Sequence, residues 1–139
     1  MVEEKIKFKV KLLSVCTRIS LLSKSIASLI NRYGQRIRVL EAAANSLPQH
    51  VIDYEKSRLS KVIKELEVID EIIERSCRDL CSSTRLSIVE LSKCTDGFEK
   101  LYERLVYGTF QAPSQVRAEI LSVYDELKRL REEYIYVPQ

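Results

Sequence analysis

The chain has 139 residues, 45% hydrophobic and 31% charged, with 23 Lys and Arg against 20 Asp and Glu. This balance excludes a disordered segment and fits a single ordered domain over 1–139. Three Gly, three Pro and no Trp leave few turn signals, so a many-stranded β fold is excluded and a few long helices are expected.

Charge is unevenly placed. Between Lys5 and Leu40 stand nine bases (Lys5, Lys7, Lys9, Lys11, Arg18, Lys24, Arg32, Arg36, Arg38) and no acid. Every Asp and Glu lies outside that run. A basic helix followed by acidic helices implies either an anionic partner or a hairpin that neutralises itself.

The first predicted helix runs from about Glu3 to Ala44. Its seam is Leu12, Val15, Ile19, Leu22, Ile26, Leu29 and Tyr33, in alternating steps of three and four. Ile37, Leu40, Ala44 and Leu47 continue it after a stutter at Tyr33, beside Gly34, where a kink in a continuous helix costs least. Asn45-Ser46-Leu47-Pro48 reads as the first turn, short enough to force the next helix antiparallel. The second predicted helix covers Gln49 to Lys93, with a seam from Leu59 through Val62, Leu66, Ile69, Ile73, Cys77, Leu80, Thr84, Ile88 and Leu91 to Cys94. Asp96-Gly97-Phe98-Glu99 has the pattern of a capping box, predicting a third helix from Gly97 to Tyr107 that stops at Gly108. A fourth, Ser114 to Tyr134, presents Val116, Ile120, Val123, Leu127 and Leu130 on one face. The expected fold is all-α: a long antiparallel helical hairpin over 1–95, then two shorter helices and a tail over 96–139. At 1.5 Å per residue the hairpin should be on the order of 60 Å long.

No 18-residue run is uninterruptedly apolar and no signal peptide is evident, so the expected location is cytoplasmic, peripheral at a membrane. Catalytic chemistry is not expected. The one histidine, His50, sits at the hairpin tip without a partner motif, and there is no phosphate-cradling glycine loop. Glu67, Asp70, Glu71 and Glu74 have the spacing of a di-metal helix but lack a Glu-x-x-His and acids on the first helix, so they read as a solvated face. No cofactor is expected.

The four cysteines, Cys16, Cys77, Cys81 and Cys94, lack paired metal-ligand spacing and read as small buried hydrophobes. In a hairpin turning at residues 47–48, however, Cys16 falls opposite residue 79, between Cys77 and Cys81. A disulfide or a three-thiolate site among Cys16, Cys77 and Cys81 is geometrically open; intracellular disulfides are rare outside hyperthermophiles.

Lys11, Arg18 and Arg32 flank the seam of the first helix, where acids of the second (Glu65, Asp70, Glu71, Glu74, Asp79) are expected to pair with them. Lys5, Lys7 and Lys9, alternating with Ile6, Phe8 and Val10, cannot all face one partner helix. Together with Lys11, Arg18 and Lys24 they are the candidate contacts to an anionic surface, lipid before nucleic acid, because aromatics for base stacking are sparse. The alternative is a helical-bundle interaction module, an adaptor, viral structural or regulatory protein, whose basic helix meets an acidic partner or nucleic acid.

The stretch from Lys5-Ile6-Lys7-Phe8-Lys9-Val10-Lys11 into Arg18-Ile19-Ser20-Leu21-Leu22 resembles the core of ESCRT-III proteins, the archaeal cell-division members above all. The likeness continues through the Ser46-Leu47-Pro48 turn, Phe98 to Leu105, Ala112-Pro113-Ser114 and Val116 to Leu127, and so covers nearly the whole chain. It implies a non-enzymatic protein that self-assembles, as a homo- or hetero-polymer, into membrane-remodelling filaments in division or sorting. An AAA ATPase is the implied partner for disassembly, and Leu127-Lys128-Arg129-Leu130-Arg131 loosely resembles its binding motif.

Overall fold

The computed structural model describes residues 2–82 and 87–137. Among these the regular elements are four α-helices: α1 Val2–Ala42, α2 Gln49–Ser82, α3 Ile88–Val106 and α4 Ser114–Tyr134. The fold is all-α, as the periodicity predicts. Each helix packs on the next, and α4 closes back onto α1, while the diagonal pairs do not meet. The result is an up-down-up-down four-helix bundle.

The α1 seam buries Val15, Ile19, Leu22 and Ile26, with Leu12, Leu29 and Tyr33 packed at its edge. The α2 seam buries Leu59, Leu66, Ile69, Ile73, Cys77 and Leu80, and α4 buries all five residues of its expected face. The α1–α2 turn is also as read. Ser46 N–H donates to the Ala43 carbonyl at 2.9 Å, and the Pro48 carbonyl accepts from Val51 and Ile52, opening α2. Through Gly34 the helix is continuous, and a Cβ there would meet nothing within 4 Å.

Two boundaries differ widely from the sequence reading, the others by a residue or two at most. α2 ends at Ser82 and α3 begins at Ile88, so no helix runs from Gln49 to Lys93; Thr84 of the expected seam lies outside the described residues. Asp96 and Gly97 are therefore not a helix cap but the middle of α3. Gly97 is buried, and a Cβ on it would lie 2.4 Å from the Ser76 Cβ. The glycine lets α3 approach α2 where Cys77 and Cys94 bring the two backbones to a Cα separation of 4.4 Å. The local pattern of a capping box is the same whether its glycine starts a helix or admits a neighbouring one.

The two shorter helices cover only part of the hairpin. Phe8 packs edge-on against Tyr134 at the chain's N-terminal end, and Arg32 stands beside Gln115, where α4 starts. Glu65, buried on α2, accepts the Gln111 N–H at 2.8 Å and pins the α3–α4 connection there. Past this level α1 and α2 continue as a two-helix projection, whose buried residues Ile52 and Leu59 lie apart from the contiguous core.

Candidate anionic-surface face on the first helix

α1 is apolar on two faces. Its inner face is the seam. On its outer face Val2, Ile6, Val10, Leu13 and Leu21 recur in steps of three, four and eight, with Thr17 filling the gap. These five apolar residues are 55–74% exposed. They form a stripe along one side of the helix, opposite the core. Lys5 and Lys9 border it on one side and Lys7 on the other. Lys7 and Lys9 are exposed, Lys5 is half-buried, and none of the three is in an ion pair among the described residues. Glu3 and Glu4 occupy the first turn, where acids suit the helix dipole. By length and composition α1 also contains a window apolar enough to cross a bilayer, although its inner face is built into the bundle core.

The remaining candidate bases are divided by α4. Lys11 Nζ lies 3.0 Å from Glu133 Oε2, and Arg18 lies 2.9 Å from Glu119 Oε1 with a further bond of 2.7 Å to Ser122. The expected partners on α2 are not used. Glu71 and Glu74 pair with Arg75 and Arg78 of their own helix, Asp79 with Lys93 of α3, and Glu65 holds the loop. The described α1–α2 ion pair, Lys56 with Glu41 at 3.8 Å, takes its acid from α1. A seam-flanking position shows that a base faces a neighbour, but α1 has two neighbours and α4 is the one that supplies the acids. Lys24 is exposed and Arg32 stands at the α1–α4 margin.

Phe8 changes role. In the sequence it alternates with Lys7 and Lys9; in the fold it is 2% exposed and belongs to the core. The outward residues are Ile6 and Val10 on the adjoining turns. The signal that finds them is a second set of apolar residues, offset from the seam and otherwise hidden within one apolar-rich helix.

All four cysteines are bridged. Cys16 joins Cys81, at a Cα distance of 5.5 Å, and Cys77 joins Cys94. The hairpin register places Cys16 near both α2 cysteines, but the second pair links α2 to α3, which that register does not address. Cys77 and Cys81, one turn apart, thus anchor α2 to both of its neighbours; α4 carries no bridge. No group of three metal-ligating side chains occurs among the described residues. His50 lies exposed in the first turn of α2. In the segment likened to an ATPase motif, Leu127 and Leu130 are fully buried.

Comparison with protein-family models, curated proteins and solved structures gives no match for this chain.

Proposed function

We propose that this is a non-enzymatic helical protein that lies on anionic membranes through the outer face of α1 and assembles there into ESCRT-III-type filaments that reshape the membrane. The observation that carries the first half is the exposed apolar stripe bordered by lysines that have no acidic partner among the described residues. Apolar side chains enter the acyl boundary while ammonium groups on long stems reach the headgroups. Each base near an anionic surface adds on the order of 1 kcal/mol, so Lys5, Lys7 and Lys9, in no ion pair among the described residues, favour reversible binding beside the apolar stripe. A stripe of this kind is too long for a scattered surface hydrophobe and needs a cover. The filament half rests on the family resemblance and on the elongated hairpin, whose two ends are unlike each other and suit head-to-tail association.

The test is co-sedimentation with vesicles of stepwise increasing anionic lipid. The protein should pellet at low salt and be released as salt rises. Val10→Asp with Leu13→Asp should abolish pelleting, and Lys5, Lys7 and Lys9 changed to Glu should weaken it strongly. Binding that ignores both sets of changes overturns the membrane reading, and a tighter association with duplex DNA than with vesicles replaces it by a nucleic-acid one. Negative-stain microscopy of the pellet addresses assembly: only isolated particles on vesicles at every protein concentration defeats the filament half.

A further inference from the structure

Where α4 begins, α1 and α4 line a groove of about 690 Å³. Its α1 wall carries three bases, Arg18, Lys24 and Arg32; its one acid is Glu119 of α4. Glu119 is already neutralised by Arg18, which is 3.0 Å away through Nε and 2.9 Å through the terminal nitrogen. Lys24 and Arg32 are exposed and have no acidic partner among the described residues, so the groove keeps a net positive potential. The first turn of α4 lines it through Gln115 and Val116, and the N-cap residue Pro113 offers no side-chain bond to the leading N–H groups of that helix. The floor is apolar, with Leu22 and Leu29. Leu21 belongs both to this groove and to the exposed stripe on α1. The groove therefore opens directly onto the face assigned to the membrane.

We infer that this groove takes the phosphate headgroup of an anionic phospholipid, with Lys24 and Arg32 on the phosphate oxygens and the first acyl carbons over Leu21 and Leu29. The inference rests on the membrane reading above and adds a discrete site to it. Three features select a lipid over a free ion. The bases stand over an apolar floor; the groove is far larger than a bare phosphate needs; and it is continuous with the stripe that would meet the acyl boundary. Guanidinium and ammonium groups bind phosphate through short charge-assisted hydrogen bonds, which give a saturable site where a diffuse basic face would give a graded one.

The test uses the oxidised 139-residue chain and dihexanoylphosphatidylglycerol below its micelle concentration, followed by amide chemical shifts. Saturable shifts are expected at Ser25, Ser28, Gln115 and Val116, with none from dihexanoylphosphatidylcholine. Changing Lys24→Glu and Arg32→Glu together should weaken binding about tenfold or more. Lys24→Gln and Arg32→Gln give the same test with less disturbance of α1. Val10→Asp with Leu13→Asp should stop vesicle pelleting and leave the groove shifts intact, so the two readings fail separately. Vesicle binding with a silent groove defeats this inference alone. Equal shifts from phosphatidylcholine, or shifts indifferent to the Lys24 and Arg32 changes, also overturn it. Inorganic phosphate producing the same shifts at the same concentration makes the site a free-anion site and overturns the lipid assignment.

Discussion

Up to about Arg32, α1 is walled by α2 on one side and α4 on the other; beyond it, α1 has α2 alone. The seam expected through both stretches fades along the second, where Ile37 and Leu40 are half-buried and Ala44 and Leu47 are exposed. In the closed half the seam joins a core shared by four helices and fastened by two disulfides. In the projection it becomes a two-helix contact around Ile52 and Leu59, with Val39, Leu47, Val51 and Tyr54 exposed nearby. The same helix-forming pattern thus yields a rigid body at one end and a thinly supported arm at the other, because burial depends on how many helices reach a given level.

The disulfides offer the strongest way to break this contrast. The Cys16–Cys81 bridge spans 65 positions, and its replacement by alanines should cost about 4 kcal/mol on the chain-entropy account. Cys77–Cys94 spans 17, with an expected cost of about 3 kcal/mol. Urea titrations of the two paired variants measure both, and an unchanged midpoint for either would mean that the closed half does not depend on its bridges. Next, Leu127→Ala should cost about 2–5 kcal/mol, with Leu59→Ala falling at the low end of that range because two helices close a cavity more readily than four. Equal losses would erase the distinction between body and arm.

Two glycines sharpen it further. Gly97→Ala forces α2 and α3 apart at Ser76 and should destabilise by about 1–3 kcal/mol. Gly34→Ala enters open space in a helix interior and should stabilise by up to about 1 kcal/mol, read as a raised midpoint with the slope unchanged. The smallest effect concerns Glu55 in the arm. A hydrogen bond from Arg58 holds its carboxyl below the usual carboxylate range, so the folded arm favours the ionised form. That contribution is present above the unfolded-state pKa and is lost as pH falls through the lowered folded value. Carboxyl chemical shifts should show Glu55 titrating at lower pH than in an Arg58→Ala variant, and coincident curves would remove the pair from the account.

Particular residues show why some of the molecule could be read early. The seams of α1, α2 and α4 repeat every three or four residues, and that spacing has one physical solution, a helix buried along one side. Asp96-Gly97 misled because capping chemistry is local while the need for a missing Cβ is not. The place of Phe8 was hidden because its burial depends on Tyr134, 126 positions away in the chain.

By itself, then, the amino-acid order determined the helical class, the antiparallel hairpin, the span of α4 and the concentration of bases on α1, since all of these follow from periodicity, turn chemistry and charge along one segment. Tertiary structure decided which helix neutralises those bases. Only the closure of α4 onto α1 pairs Lys11 with Glu133 and Arg18 with Glu119, and leaves Lys5, Lys7, Lys9 and Lys24 beside an uncovered apolar stripe. Charge along a chain is a property of sequence; its neutralisation depends on distances of a few ångströms that packing alone sets.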